Sequence, residues 1–183
     1  MKFTADTHFG AKRALELSRR PYKTVEEMDE DIISLWNSIV KPNEEVWHLG
    51  DFGNYEIVKR LNGNIHLIIG NYEQKDIDEG KETKESLLSY GFASIEDYHY
   101  LKIDDNFDIP NIDYLKLVHK PSDCDMNNPK VFNLFGHIHG RQLCKKFGLD
   151  VGVDGHHMRP IDAKDVSFFV VAIKEHYDYE VFL

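Results

Sequence analysis

Seven polar residues of the sequence have side chains that could together bind divalent cations, because each offers an imidazole nitrogen or an oxygen. They are Asp6, His8, Asp51, Asn71, His119, His137 and His139. Each follows a stretch that we interpret as a β-strand. A donor set of nitrogen and oxygen without thiols favours first-row ions such as Mn²⁺, Fe²⁺, Co²⁺, Ni²⁺ or Zn²⁺ over Ca²⁺. Seven ligands suffice for two such ions if one carboxylate is shared.

The first half of the chain alternates predicted strands and helices. The predicted strands are 2–5, 45–49 and 65–69, and the predicted helices are 25–39, 55–61 and, more weakly, 82–90. The helix after Thr24 is the clearest, because Glu27 completes a capping box and apolar residues recur at helical spacing up to Pro42. Residues 9–23 are expected to form a loop with one helical turn. Strands separated by helices pair in parallel, so their carboxyl ends meet at one edge, where such sheets bind ligands.

The second half of the chain is richer in predicted strands. They are 98–103, 115–119, 131–135, 149–153, 166–173 and 179–183, and the last two are expected to form a hairpin. This change of pattern favours an α/β fold in which two mixed β-sheets pack as a sandwich flanked by α-helices. Since no repeat or linker interrupts the chain, residues 1–183 are expected to form a single domain.

Composition excludes several classes of protein. Hydrophobic residues make up 42% and charged residues 30%, which is typical of a globular protein. The net charge of -10 argues against stable nucleic-acid binding along a cationic groove. No apolar run approaches the ~20 residues that cross a bilayer, and the first residues soon become polar. Cys124 and Cys144 have the spacing of neither a disulfide framework nor a zinc ribbon. We therefore expect a cytoplasmic protein with reduced thiols and no membrane partner, and its oligomeric state stays open.

The candidate ligands occur in a characteristic order of short motifs. These are Asp6-Thr7-His8, Gly50-Asp51, Gly70-Asn71, His119 and Gly136-His137-Ile138-His139. The series resembles the calcineurin-like metallophosphoesterase superfamily, in particular its small single-domain bacterial and phage members. The segments Arg20-Pro21-Tyr22 and Gly152-Val153-Asp154-Gly155 also resemble these proteins. The resemblance extends from Phe3 to about Pro160 and implies a four-layer α-β-β-α arrangement.

The resemblance implies a role for each candidate ligand. The first metal would bind Asp6, His8 and His139, and the second would bind Asn71, His119 and His137. Asp51 would bridge two divalent ions, with manganese expected first and iron, nickel, cobalt or zinc as alternatives. The implied reaction is hydrolysis of a small phosphate ester or phosphodiester, nucleotides included, by in-line attack of a metal-bridging hydroxide. The glycines of the motifs would let the backbone turn sharply or approach the metals closely.

One position departs from the family pattern, in which a histidine usually follows Gly-Asn. Here Tyr72 follows Asn71. A phenol with an unperturbed pKa near ~10 can donate a hydrogen bond but is a poor general acid at neutral pH. We expect Asp51, Asn71 and Tyr72 to act in catalysis, in an enzyme that is slow or prefers good leaving groups.

Two further residues are candidates for substrate binding. Arg20 could hold a phosphate with both arms of its guanidinium, and His156 lies on a loop that could face the site. For both residues a surface role is equally open. Asp154 could orient a ligating histidine, and His48 is expected in the core or behind the ligands. Two rival functions remain: a scaffold that has lost catalysis, and a regulatory module that binds a nucleotide without hydrolysing it.

Overall fold

The computed structural model describes residues 1–176 and has a mixed α/β architecture. Within these residues the strands are β1 (Lys2–Thr4), β2 (Glu45–His48), β3 (Asn64–Ile68), β4 (Ser94–Glu96), β5 (His99–Lys102), β6 (Tyr114–Leu117), β7 (Val131–Phe135), β8 (Cys144–Lys145), β9 (Gly148–Asp150) and β10 (Ile161–Asp162). The α-helices are α1 (Lys12–Leu17), α2 (Val25–Ile39), α3 (Asn71–Asp78), α4 (Lys84–Ser89) and α5 (Ala163–Val171). Short 3₁₀ helices cover Tyr55–Arg60, Pro121–Asp123 and Val153–Gly155, and a π-helical turn covers Ala172–His176.

The strands form two mixed five-stranded sheets. The first has the order β10-β1-β2-β3-β4, in which β1 to β4 are parallel and β10 is antiparallel to β1. The second has the order β5-β6-β7-β9-β8, in which β6, β7 and β9 are parallel and the two edge strands are antiparallel to their neighbours. The predicted parallel pairing of the first three strands is therefore confirmed.

One hydrophobic core contains apolar side chains from both sheets. Phe3 and Leu49 contribute side chains to this core from the first sheet, and Leu117 and Leu134 contribute side chains from the second sheet. The shared core agrees with the predicted α/β sandwich, while the four-layer order stays a prediction. A second core covers the opposite face of the first sheet, where fully buried Trp36 of α2 packs with its neighbours.

The start of α2 contains one half of the predicted capping box. The Thr24 hydroxyl accepts a hydrogen bond from the Glu27 backbone N–H at 3.1 Å, and the Glu27 carboxylate accepts one from the Lys23 N–H at 2.9 Å. The first bond satisfies a backbone donor that the first turn leaves unpaired. The Glu27 carboxylate pairs with the N–H of the residue before Thr24, whereas a full capping box would use the Thr24 N–H. The helix ends at Ile39, before Pro42, as predicted.

The predicted strand 166–173 is wrong, because most of this stretch lies in α5. The Asp162 side chain caps this helix by accepting hydrogen bonds from the N–H groups of Lys164 and Asp165. Buried Val166 and Val170 lie one helical turn apart and join the shared core. A short apolar run is compatible with a buried helix as well as with a strand. The capping residue Asp162 is the feature that indicates a helix. The predicted strand 179–183 lies outside the described residues.

Smaller differences concern local conformation. Residues 55–60 form a 3₁₀ helix, α1 is longer than the single turn expected, and α3, β4, β8 and β10 were not predicted. Cys124 is buried and Cys144 half-buried, and both are free. None of the helices within residues 1–176 has the length and apolar character needed to cross a membrane.

His48 is confirmed as a core residue at the end of β2. Its Nε2 lies 3.0 Å from the Thr7 hydroxyl, which itself donates to the Phe52 carbonyl, so the imidazole is the donor of this contact. Its ring packs against Trp36 and Phe52. Burial lowers the pKa of His48 to about 3.

This lowered pKa predicts a loss of stability in acid. Below pH 6.5 the unfolded chain protonates His48 while the folded protein resists, so the free energy of unfolding falls as pH decreases from 6.5 towards 3. The contribution of His48 alone is about 2 kcal/mol between pH 6.5 and 5. Urea denaturation in EDTA at both pH values should show this loss in the wild type and a correspondingly smaller loss in His48→Gln. Equal pH dependence of the two proteins would contradict the prediction.

Candidate metal centre

All seven predicted ligands meet at the carboxyl ends of strands from both sheets. Asp6 and His8 follow β1, Asp51 follows β2, and Asn71 begins α3 after β3. The other three follow strands of the second sheet, with His119 after β6 and His137 and His139 after β7. Because these strand ends face one another, a cluster forms from residues up to 133 positions apart in the sequence (Asp6 to His139).

One side of the cluster consists of Asp6, His8 and His139. Each offers one donor atom, and these atoms all lie within 4.8 Å of one another. His8 Nε2 is 4.0 Å from Asp6 Oδ1, and the rings of His8 and His139 stack with centroids 5.0 Å apart. This is the same set that the family resemblance assigns to the first metal.

The other side of the cluster is built around His119. Its Nε2 lies 3.5 Å from Asp51 Oδ1 and 3.3 Å from His137 Nδ1, which is 3.1 Å from Asn71 Nδ2. Donor atoms of Asp6, Asp51 and His119 also lie within 4.8 Å of one another. The residues that the sequence predicts for the second metal therefore lie close to one another. Asp6 lies close to both sides of the cluster.

Asp51 occupies the centre between the two sides. Its Oδ2 lies 3.6 Å from His8 Nε2, while its Oδ1 faces His119 and also accepts the Tyr72 backbone N–H at 2.9 Å. The two oxygens of one buried carboxylate thus point to two different groups of donors. That is the geometry a bridging carboxylate requires.

Several polar atoms of the cluster are buried without a hydrogen-bond partner in the described part of the chain. They include Asp6 Oδ1 and both ring nitrogens of His8. A buried unpaired polar group costs about 1–3 kcal/mol. These atoms belong to side chains that can ligate first-row metals, so a bound divalent cation would supply the missing partner.

Burial also shifts the protonation of these side chains. It raises the pKa of Asp6 well above its usual range, together with the nearby charges of Asp150 and Asp51. It lowers the pKa of His8 to about 4, although Asp51 opposes this shift. A metal ligates neutral imidazole and ionised carboxylate, so His8 is in the required form at pH 7, and a cation would favour the ionised form of Asp6.

Five of the seven candidate ligands have left-handed backbone conformations. Their φ angles are 56° for Asp6, 51° for His8, 56° for Asp51, 73° for His137 and 53° for His139. Such conformations are uncommon for residues other than glycine and persist only where surrounding contacts enforce them. Such conformations are typical of active sites and ligand sites, so their concentration here is consistent with the candidate metal centre.

Close backbone packing behind Asp51 explains two of the predicted glycines. Gly50 has φ +89°, and a Cβ atom there would lie 2.6 Å from Gly70 Cα and 2.8 Å from His119 Nδ1. A Cβ atom on Gly70 would lie 2.4 Å from the Asp51 nitrogen. The predicted sharp turn is confirmed at Gly50, and close approach of the glycines to metals stays a prediction.

Glu73 lies directly behind the cluster, and its role was not predicted from the sequence. Its fully buried carboxylate accepts three backbone hydrogen bonds, from Asp51 at 2.9 Å, Phe52 at 2.9 Å and Gly70 at 2.8 Å. These bonds join the loops that carry Asp51 and Asn71. Burial, reinforced by Asp51, raises the pKa of Glu73 to about 7, although the hydrogen bonds oppose the shift. The available signal was its position three residues after Gly70, where an acidic side chain can cap a helix.

Asp150 has a comparable supporting role in the second sheet. Its two oxygens accept hydrogen bonds from the backbone N–H groups of Gly152 at 2.8 Å and Gly140 at 2.9 Å. Gly140 directly follows His139, so Asp150 fixes the end of that ligand loop. Burial raises the pKa of Asp150 to about 6.

Tyr72 lies at the edge of the cluster. Its half-buried ring meets the His8 ring edge to face at a centroid distance of 4.6 Å. Burial, followed by the charge of Asp51, raises the pKa of the phenol. Tyr72 is therefore a neutral hydroxyl beside the cluster at pH 7.

Neither candidate substrate-binding residue presents a donor to the cluster. Arg20 is buried, and its guanidinium is bonded to Asp154 and to backbone carbonyls, in contrast to the phosphate-binding role expected from the sequence. His156 Nε2 lies 2.7 Å from the Asp150 carbonyl oxygen. Its ring lines a separate cavity of about 450 Å³ that contains none of the seven candidate ligands. Both side chains are therefore bonded within the protein.

Asp154 contacts a candidate ligand, as predicted from the sequence. Its Oδ2 is 2.8 Å from His139 Nδ1. Burial alone would raise the pKa of Asp154, but hydrogen bonds from His139 and Arg20 outweigh it and lower the pKa to about 2. Asp154 is therefore an ionised acceptor behind the cluster.

Comparisons with known proteins give relatives without an assigned activity. No family model matches the chain. The chain is 33% identical over 78 residues to the uncharacterized protein MJ1445 of Methanocaldococcus jannaschii, a match covering 38% of this chain and 44% of that protein. It is 32% identical over 80 residues to the Gene 66 protein of Mycobacterium phage L5, covering 39% and 38% of the two chains. The chain thus matches less than half the length of these curated relatives.

A solved structure has a similar fold over nearly the whole chain. It is the crystal structure of the protein of unknown function AQ665 from Aquifex aeolicus, with a TM-score of 0.67 and 21% sequence identity. The match covers 92% of this chain and 97% of that chain. At this level of identity the likeness shows the fold alone.

Proposed function

We propose that this protein is a dinuclear metal-dependent phosphoesterase of the calcineurin-like type, with a four-layer α-β-β-α fold. Its substrate would be a small phosphate ester or phosphodiester, nucleotides included. The observation that carries the proposal is the position of Asp51, whose two buried carboxylate oxygens face donor groups on opposite sides. Two metal ions sharing one carboxylate are characteristic of enzymes that hydrolyse phosphate esters.

The side chains fit a pair of divalent cations. Asp6, His8 and His139 would hold one cation, and Asn71, His119 and His137 the other, with Asp51 bound to both. The unpaired buried atoms of Asp6 and His8 support this assignment. Manganese suits the nitrogen and oxygen donors, as do iron, nickel, cobalt and zinc. When bound, the pair would neutralise charge on the phosphate and activate a water molecule for in-line attack on phosphorus.

The protein itself fixes which nitrogen of His119 faces the cluster. Its Nδ1 lies 2.8 Å from the Leu49 carbonyl oxygen, which can only accept a hydrogen bond. The proton is therefore on Nδ1, and the lone pair of Nε2 points towards Asp51. A hydrogen bond of this kind selects the tautomer and orients the ring of a metal ligand.

Tyr72 is expected to limit the rate on substrates with poor leaving groups. A neutral phenol with a raised pKa transfers a proton to the departing oxygen less readily than a protonated imidazole does. Tyr72→His should raise turnover of an alkyl phosphate ester by at least about tenfold. Turnover of a p-nitrophenyl ester, whose leaving group needs little protonation, should change much less.

Tyr72→Phe provides the matched control for this prediction, because it removes the hydroxyl and keeps the ring against His8. It should not gain activity on the alkyl ester. Unchanged turnover of the alkyl ester by Tyr72→His would contradict the assigned role of position 72.

Hydrolysis assays test the proposed function directly. Bis-p-nitrophenyl phosphate and p-nitrophenyl phosphate would be incubated with the purified protein and added Mn²⁺, and in parallel with EDTA. We expect Mn²⁺-dependent release of p-nitrophenol, and the ratio of the two rates distinguishes a diesterase from a monoesterase. Absence of release from a sample that binds Mn²⁺ would overturn the enzyme proposal in favour of a scaffold or a nucleotide-binding module.

A further inference from the structure

Arg20 and Asp154 form a buried ion pair behind the candidate metal centre. Arg20 Nε lies 2.8 Å from Asp154 Oδ1, and Arg20 Nη2 lies 2.9 Å from Oδ2, so the contact uses two parallel hydrogen bonds. The two side chains are only 0% and 6% exposed. Removing two charges from water is costly, and a hydrophobic pair would often be as stable. The contribution of the pair to stability does not by itself explain its presence.

The same guanidinium contacts the loop that carries the first candidate ligands. Arg20 Nη1 donates to the Thr7 carbonyl at 2.7 Å, and Nη2 donates to the Asp6 carbonyl at 2.5 Å. Asp154, on the other side, contacts His139 through Oδ2 at 2.8 Å. The ion pair thus connects the loop after β1 to the loop after β7, although these loops belong to different sheets.

The contact with Asp154 also determines the orientation of His139. A carboxylate paired with a guanidinium accepts hydrogen bonds, so Nδ1 of His139 carries the proton and Nε2 has the free lone pair. The Ser18 hydroxyl lies 2.8 Å from the same Nδ1. Moreover, the left-handed φ of 53° at His139 requires contacts that hold it in place.

We infer that Arg20 and Asp154 are positioning residues that orient His139 and the Asp6 loop towards one of the two metals. The inference rests on the proposed function, because it assigns these residues to the metal held by Asp6, His8 and His139. The side chains of the other side have orienting contacts of their own. His119 is oriented by the Leu49 carbonyl, and Asn71 contacts His137.

Calorimetric titration of the full-length apoprotein with Mn²⁺ tests the inference. The wild type should bind two ions. In Asp154→Asn one of the two should bind about 10- to 100-fold more weakly, as for other residues that orient a metal-bound histidine. The affinity for the other ion should fall by less, because the His119 and His137 side chains are oriented by contacts outside the ion pair.

Arg20→Lys is a milder variant that keeps the positive charge and loses the paired hydrogen bonds. It should weaken the same metal in the same direction. Arg60→Lys is its matched control, because Arg60 forms an exposed ion pair with Glu30 at 2.7 Å. The control should bind both ions with wild-type affinity.

The outcomes separate this inference from the proposed function. A wild type that binds two ions, with unchanged affinities in Asp154→Asn and Arg20→Lys, would contradict the positioning role alone. Equal weakening of both ions in these variants would also contradict it, because it would indicate a general structural effect. A wild type that binds no Mn²⁺ would overturn both the proposed function and the inference.

Discussion

Asp51→Asn should reduce Mn²⁺-dependent hydrolysis of bis-p-nitrophenyl phosphate by at least about 10³-fold, which corresponds to about 4 kcal/mol. The two carboxylate oxygens of Asp51 lie 3.6 Å from His8 Nε2 on one side and 3.5 Å from His119 Nε2 on the other. An amide would remove the shared negative charge and turn an NH₂ group towards one imidazole. Hydrolysis rates across a range of Mn²⁺ concentrations measure the effect.

Two controls accompany this variant. Asn tolerates the left-handed conformation of position 51 better than most residues, and its amide oxygen can still accept the Tyr72 N–H. The apo form of Asp51→Asn should therefore unfold in urea at a concentration no lower than the wild type. Asp105 is exposed and lines a surface pocket that contains none of the candidate ligands, so Asp105→Asn is a matched change with unchanged activity. Wild-type hydrolysis by Asp51→Asn at saturating Mn²⁺ would contradict the bridging role.

Gly50→Ala should destabilise the protein by at least about 3 kcal/mol and abolish metal binding. The added methyl group would lie 2.6 Å from Gly70 Cα and 2.8 Å from His119 Nδ1, and φ would remain at +89°. Neither the backbone at Gly70 nor the oriented His119 ring can move away without displacing a ligand loop. Urea denaturation of the apoprotein measures the loss of stability.

Gly80→Ala separates the crowding at Gly50 from the cost of its backbone conformation. Gly80 also has a positive φ, +71°, but a Cβ atom there would meet no atom within 4 Å. Its replacement should therefore cost only the conformational penalty of about 1–2 kcal/mol. Equal destabilisation by the two substitutions would show that close packing behind Asp51 is unimportant.

The positions of the candidate ligands could be predicted because they follow from two physical rules. Buried strands are visible as apolar runs, and parallel strands place their carboxyl ends at one edge. The residues after β1, β2 and β3 were thereby predicted to lie together. His119 and His137 follow parallel strands of the second sheet, and the shared core brings that edge close to the first.

The roles of residues on loops could not be predicted in the same way. The direction of Arg20 depends on contacts with Asp154 and Asp6, which are 134 and 14 positions away. His156 faces the Asp150 carbonyl because of the turn after β9, for which the sequence gives no pattern. Glu73 was missed because α3 has few apolar residues and was not recognised as a helix.

The helix α5 shows that apolar periodicity alone can be insufficient to distinguish a helix from a strand. Its core-facing residues, including Val166 and Val170, belong to a short apolar stretch whose length is compatible with either a strand or a helix. The deciding signal is the Asp162–Asp165 capping pair, which lies just before the apolar run. Where periodicity is ambiguous, the capping residues carry the information.

A crystal structure of the Mn²⁺-soaked protein, with anomalous data collected at the manganese edge, tests the central claim most directly. We predict two anomalous peaks about 3.5–4 Å apart, one on each side of Asp51. One peak should lie among Asp6, His8 and His139, and the other beside His119. A single peak, or none within reach of Asp51, would contradict a dinuclear centre.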